Sequence, residues 1–321
     1  MFRSGSLKVV GLGVMLFLAL PSAASAGLLG LAGGYGEFVF GSSSRSNTSS
    51  QGPVAVGGSA SFSNFSIANS AAAPNGATDP NLVVGGALSW SHGTLAHGSG
   101  YVGGGTSVSN VGYPGGGAIH GGVASLPIDF SAQQAALTAF SAAQYSASDA
   151  TVSPVYGGLT FGSTAATGLQ IYNVSAYDLS QANSLKVRGQ DSSTVIVNIL
   201  GSSADLKNVG FDLAGGITSS HVLWNFVDAS ALSLKNVGVD GTILAPLAAV
   251  SFSNGQINGS LIAASLSGSG ATSIVQDGLD TRFAGIGRSG GVPEPASLTM
   301  LGTTVVVGLG VAAVRRRTRR G

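Results

Sequence analysis

The side chains of this chain that could do chemistry are few and scattered. His92 and His97 stand five apart, His120 follows, and His221 lies far along the chain. A zinc centre needs three or four ligands converging on one point. No i, i+4 helical pair of histidines and no nearby carboxylate accompany these residues, and the chain has no cysteine. The histidines therefore predict no metal site, and thiolate chemistry is excluded. Asp212 and Asp240 occupy the same offset after two copies of one pentapeptide, so they are expected to stack on adjacent coils. Calcium would suit such a pair, but an aspartate bonding its own turn is the preferred reading. Lys186, Arg188 and Asp191 form the nearest charged cluster and read as a solvated turn. Gly98-x-Gly100-x-x-Gly103 matches a dinucleotide fingerprint in letters, yet a Gly-rich run without helical period follows it, where a helix N-terminus is needed. Gly287-x-Ser289-x-Gly291 has the spacing of a nucleophile elbow but sits in a Gly-rich spacer rather than a strand-to-helix turn. Catalytic, cofactor and metal residues are accordingly expected to be none.

The elements that would carry these residues are mostly short β-type runs punctuated by Gly, Asn and Ser. The runs repeat. Val56-Gly57-Gly58, Val84-Gly85-Gly86 and Val102-Gly103-Gly104 start 28 and 18 residues apart, and Leu206-Lys207-Asn208-Val209-Gly210 recurs unchanged as Leu234-Lys235-Asn236-Val237-Gly238, again 28 on. Gly241 to Ala245 is echoed by Gly259 to Ala263, 18 on. Repeats of this length signal coils that bury their apolar sides only by stacking. The expected fold is mainly β: a β-solenoid of the right-handed β-helix type in two blocks, 50–125 and 160–275. Phe252, Ile257, Leu261 and Leu266 point inward, with Ser and Asn at the corners. A β-sandwich shares the turn density but not the repeat. One amphipathic helix, about 131–147, is expected alongside, opened by a Ser131-x-x-Gln134 capping box and burying Leu137, Phe140 and Tyr145. Trp224 reads as core; Trp90, between Ser89 and Ser91, reads as exposed.

Both ends read as sorting segments. Arg3 and Lys8 precede an apolar run, Pro21 breaks it, and Ala24-Ser25-Ala26 is a small-x-small cleavage site before Gly27, which describes a secretory signal peptide, 1–26. At the other end a Gly-rich linker, 281–291, leads to Val292-Pro293-Glu294-Pro295. The uncharged stretch 297–314 follows, 18 residues long, then Arg315-Arg316-Arg317-Thr318-Arg319-Arg320. That stretch is long enough to cross a bilayer core of ~30 Å, and the arginines would stay on the cytoplasmic side. The string resembles the PEP-CTERM sorting signal of Gram-negative bacteria. The resemblance implies a transient inner-membrane intermediate, cleavage near Pro293-Glu294-Pro295 by an exosortase, and delivery to the cell surface or extracellular matrix. An ordinary single-span anchor is the alternative.

Sorting changes the charge balance. Two of the 14 basic residues lie in the signal segment and five in the tail, whereas only Glu294 of the 13 acids lies there; the stretch 27–292 keeps 7 basic and 12 acidic residues, a net charge of −5. Nucleic-acid binding, which needs clustered Lys and Arg, is excluded.

Between the ends, Gly52 to Gly58, Asn81 to Gly86, Asp129-Phe130-Ser131, Tyr172 to Leu179, Leu223-Trp224-Asn225-Phe226, Gly241 to Pro246 and Asn258 to Ala263 come in an order similar to that of the choice-of-anchor A domain. The likeness covers about 28–275 and implies a domain of 27–280, ahead of the linker. It departs at the first strand, where Gly34-Tyr35-Gly36-Glu37 replaces an Asn-rich start. The resemblance implies an exported adhesive domain of β-helix fold, similar to ice-binding and adhesin-tip modules, with no assigned catalytic residue. Function is thus expected to be structural or adhesive and non-enzymatic, with a broad Ser, Asn and Thr face toward extracellular polysaccharide or other surface proteins. A polysaccharide-active β-helix enzyme would need paired acid and base groups in a groove. An ice-binding module would be expected to show flat Thr-x-Thr ladders, which the sequence lacks.

Overall fold

A computed structural model of the chain describes residues 28–69, 76–273, 275–276, 279–280 and 282–285. Ala24, Ala26, Gly27, Val292, Pro293, Glu294, Pro295, Arg315, Arg316 and Arg317 lie outside the described residues, as does the Gly287-x-Ser289-x-Gly291 motif. Among the described residues no helix is long and apolar enough to cross a membrane.

The chain is mainly β, built of parallel strands stacked in register into a three-faced coil. The repeats seen in the sequence are the vertical spacings of this stack. Leu206 and Lys207 pair with Leu234 and Lys235, Ile243 to Ala245 with Leu261 to Ala263, and Val56 with Val84, which pairs in turn with Val102. The paired glycines mark a corner where successive coils nearly touch: a Cβ on Gly85 would run into the carbonyl oxygen of Gly57.

The asparagine corners have a conformational cause. Asn47, Asn64, Asn110, Asn208, Asn236 and Asn254 adopt positive φ of 50–54°, a left-handed turn that Asn tolerates better than most residues. Their amides form ladders along the corner: Asn64 Nδ2 donates to Asn47 Oδ1 at 3.1 Å, and Asn236 Nδ2 to Asn208 Oδ1 at 3.0 Å. His92 occupies the same corner with φ 58°, its ring Nε2 3.3 Å from Asn110 Nδ2.

The order of coils was not foreseen. The two blocks are one continuous stack, joined in reverse of chain order. Glu37–Val39, near the start of the described chain, lies between Leu261–Gly268 and Val54–Val56 and pairs in parallel with both. Ser43–Ser50 likewise pairs with Leu261–Gly268 on one side and Ala60–Ile67 on the other. The first coil thus sits on the last, and the strand at the Glu37 departure is fully paired. The chain then has to travel from the coil of Ile119–His120 back to the opposite end, and helix α1 (Phe130–Ser146) makes that journey along one side.

Helix α1 differs from expectation at both ends. Its N-cap is Asp129, whose carboxylate accepts from Ala132 N at 3.0 Å and from Ser131 Oγ at 2.8 Å. Ser131 is therefore inside the helix and not its cap. These hydrogen bonds hold the Asp129 carboxyl below its ordinary pKa. Leu137 and Phe140 are buried, but Tyr145 is exposed; Gln133, Ser141 and Gln144 complete the buried face. The polar members meet a buried asparagine row. Asn198 Nδ2 donates to Asn173 Oδ1 (2.9 Å) and to Gln144 O (3.1 Å), Asn225 Nδ2 donates to Asn198 Oδ1 (2.7 Å), and Ser141 Oγ donates to Asn225 Oδ1 (2.6 Å). Buried amides satisfied in this way fix the helix position along the stack.

The interior between the faces is mainly apolar. Trp224 is core as expected. Trp90 is also core, contrary to expectation, donating Nε1–H to Phe65 O at 3.2 Å. In the inward column that runs Leu234, Phe252, Gly268, Arg45, Phe62, Trp90, a single cation stands among apolar side chains. Arg45 Nη2 lies 3.1 Å from Glu37 Oε1, both side chains being fully buried. Arg45 also donates to the carbonyls of Gly268 and Gly270. Residues 282–285 lie against the domain: Phe283 is buried, and Ala284 N donates to Ser220 O.

Candidate functional site

A second side of the coil, other than the one that carries α1, is built from eight strand segments in parallel register. Side chains alternate across a strand, so each Ser-x-Ser string sends its serines outward and its middle residue into the core. The stack brings these serines into columns. From one end the central column runs Ser107, Ser89, Ser61, Ser44, Ser267, Ser251 and Ser233, then Asp205. Seven serines thus follow one another at the inter-strand spacing of about 4.8 Å. A second column runs Ser109, Ser91, Ser63 and Ser46, and beyond the junction Ser253, Lys235 and Lys207. The two columns lie roughly 7 Å apart, two residues along the strand.

The face is two-dimensional, and its charges, Asp205, Lys207 and Lys235, are confined to one half. On the segments 42–46, 59–63, 87–91, 105–109 and 265–267 no outward side chain is ionisable; Arg45 points inward. The backbone beneath is held by ladders on both sides of nearly every strand, so the hydroxyls are spaced by a rigid lattice and not by loops. A shallow trough of about 760 Å³ runs across the neutral half. A second, of about 680 Å³, lies at the other end, where the short helix α2 (Ala176–Gln181) packs against the strand Ser203–Lys207.

The residues that suggested catalysis or metal binding are dispersed. The strands that carry Asp212 and Asp240 are packing neighbours. On its other side Asp212 stands in register with Lys186, and Asp240 with Asn258, whose Nδ2 donates to Asp240 Oδ1 at 2.7 Å. Arg188 pairs in register with Gly162 and Ala214 on the third face. His120 stacks on Tyr101, ring centroids 5.1 Å apart, and His221 contacts Thr218 and Ser220. Among the described residues no cluster of three or more His, Cys, Asp or Glu could hold a metal ion. Gly98 and Gly103 flank the strand Ser99–Val102, which contains Gly100, and another strand, not a helix, follows it.

Sequence reasoning expected a broad Ser, Asn and Thr face but did not place its residues. The signal was present as Ser-x-Ser in six separate strands; what was lacking was the register that aligns them.

The structure thus presents an in-register array of neutral hydroxyls on a stacked coil. The family comparison agrees with this geometry: residues 28–274 match the model of an ice-binding-like adhesive domain. The chain belongs to that family. Solved structures similar to the adhesive domain include an ice-binding protein from the Antarctic ascomycete Antarctomyces psychrotrophicus, 13% identical, covering 78% of this chain and 100% of that one with a TM-score of 0.38. An ice-binding protein from an Antarctic biological consortium is 14% identical over 79% of this chain and 93% of its own, with a TM-score of 0.36. One from an Antarctic Flavobacteriaceae bacterium is 14% identical over 75% and 78%, with a TM-score of 0.25. No curated protein matches the adhesive domain.

Proposed function

We propose that this chain is an exported, non-enzymatic adhesive protein whose serine face docks on an extended, neutral, hydroxyl-rich surface such as matrix polysaccharide. The observation that carries this reading is the central column of seven in-register serines. Each hydroxyl makes a weak contact, but a rigid lattice presents all of them at once, so the ordering cost is met before binding. Many shallow contacts in parallel then act like linked sites. The family assignment supports adhesion. The crossover rule, by which about 98% of parallel strand connections are right-handed, supports a right-handed winding of the coils.

Localisation follows from the ends of the sequence. The signal segment supports export, and the resemblance of 292–320 to a PEP-CTERM signal supports exosortase processing and display of a choice-of-anchor A-type domain at the cell surface or in the matrix. Intact mass and fractionation of the native protein test this: a chain starting at Gly27 and ending near Pro295 in the envelope or matrix fraction is expected. A full-length tail found only in the inner membrane would overturn it.

A second reading is contact with ice, favoured by the periodicity of the same columns and by the family description. One set of variants tests both. Ser61→Lys with Ser89→Lys places two ammonium groups at the centre of the face. It is expected to abolish retention on insoluble polysaccharide while leaving the melting temperature close to the parent's. Loss of ice-crystal shaping in the same variant, with polysaccharide retention absent in both proteins, would select ice. Unchanged retention of the variant on both substrates would remove the serine face as the docking side.

A further inference from the structure

The serine face is not uniform, and its α2 end has the composition of a ligand pocket. The residues that line the trough there include Tyr177 and Ser180 from α2, Ser203 and Asp205 from the adjoining strand, and Ser233 and Ser251 from the next two coils. Tyr177 is 74% exposed, although α2 is anchored firmly beneath it by Leu179 and Ala176, both buried. Ser175 caps the helix, accepting from Asp178 N at 2.9 Å, and Ser180 Oγ accepts from Asp205 N at 2.9 Å, tying helix to strand. The ring therefore stands on a fixed wall at the edge of the trough. The neutral half of the face offers no outward aromatic ring and no outward carboxylate.

We propose that this trough is a saccharide subsite that takes one neutral sugar ring of a polysaccharide chain. The C–H side of the ring would lie on Tyr177, whose body is apolar and whose hydroxyl stays wet. The Asp205 carboxylate would accept from one or two adjacent sugar hydroxyls, as a charge-assisted acceptor. Ser203, Ser233 and Ser251 would bond the remaining oxygens. The flat columns cannot distinguish one hydroxylated surface from another; an aromatic wall opposite a carboxylate can. The proposal deepens the adhesive reading and rests on the same face being the docking side.

The test is titration of the full-length chain with hexasaccharides of glucose, of mannose and of N-acetylglucosamine, followed by saturation-transfer NMR. Binding of at least one is expected. Tyr177→Ala is expected to weaken it by about tenfold or more, the size of a lost aromatic contact plus its burial, and Tyr177→Phe to leave it within about twofold. Asp205→Asn is expected to weaken it as well, with the fold checked by circular dichroism. Absence of binding for all three sugars at millimolar concentration, or parent-like binding by Tyr177→Ala, would overturn the subsite. The Ser61→Lys/Ser89→Lys chain separates the two ideas. Retained hexasaccharide binding with lost surface retention supports both. Retained hexasaccharide binding with unchanged surface retention sinks the broad-face reading and leaves the subsite standing.

Discussion

Arg45 Nη1 donates to the carbonyl oxygen of Gly268 at 2.9 Å across 223 residues of sequence. The bond crosses the junction where the first coil sits on the last, so the arginine and its partner Glu37 act as the internal clasp of a stack assembled out of chain order. Glu37 also accepts from Thr272 Oγ1 at 3.2 Å, on the same final coil. Burial raises the Glu37 pKa, an effect that Arg45 and Thr272 only partly offset.

Removing one partner of the clasp should be costly. Arg45→Met leaves a buried carboxylate without its cation, and about 3–5 kcal/mol of stability should be lost in urea unfolding. The double variant Arg45→Met/Glu37→Leu should recover most of this loss. Its two side chains match the apolar column around them, and Glu37 Oε2 and Arg45 Nε make no hydrogen bond in the parent. Equal loss in both variants would show that the pair specifies the junction in some way an apolar contact cannot.

The glycine corner sets how closely coils approach. Gly85→Ala should cost about 1–3 kcal/mol, because the added methyl meets the Gly57 carbonyl oxygen and the ladder must spread to admit it. Thermal melts give the loss directly. Gly105→Ala, in open space on the neutral half, is the matched control and should change little.

The asparagine row beneath α1 is predicted to hold the helix in place. Asn225→Ala strands Asn198 Oδ1 and the Ser141 hydroxyl, and a penalty of about 1–3 kcal/mol for the buried group left unpaired is expected. Hydrogen exchange should rise first in α1, before the strand ladders, since α1 is held by one face only. Uniform acceleration throughout the chain would show that helix and stack open together.

Tyr35 predicts an alkaline limb. Burial pushes its phenol from 10.0 up to about 12, so the folded state keeps the proton after the unfolded chain has lost it. The contribution is fully present below pH 10 and is lost as pH rises through about 12, amounting to roughly 3 kcal/mol at most. Unfolding free energies between pH 9 and pH 12 should fall more steeply for the parent than for Tyr35→Phe, and phenolate absorbance should titrate late for one tyrosine.

Much of this architecture is legible in the sequence, because it depends on local periodicity. The 28- and 18-residue repeats gave the vertical spacing, period-2 alternation separated inward Leu206 and Leu234 from outward Lys207 and Lys235, and Asn or Gly at the turns marked corners that need a left-handed residue. Trp90 was misjudged because its serine neighbours show only that it alternates with them; which side of the strand is the core depends on the coil above and below.

What the sequence alone could not decide is which coil meets which. Strand pairing is a long-range contact, and nothing within Ser43–Ser50 or Leu261–Gly268 names the other. Three-dimensional stacking made neighbours of Ser44 and Ser267 and joined two half-columns into one face. The serines, their alternation and their corners were fixed locally by residue type. Their union into a single flat surface, and the Tyr177 wall at its end, follow only from tertiary register. Burying the two open coil ends against each other, with Arg45 and Glu37 between them, is what that register achieves.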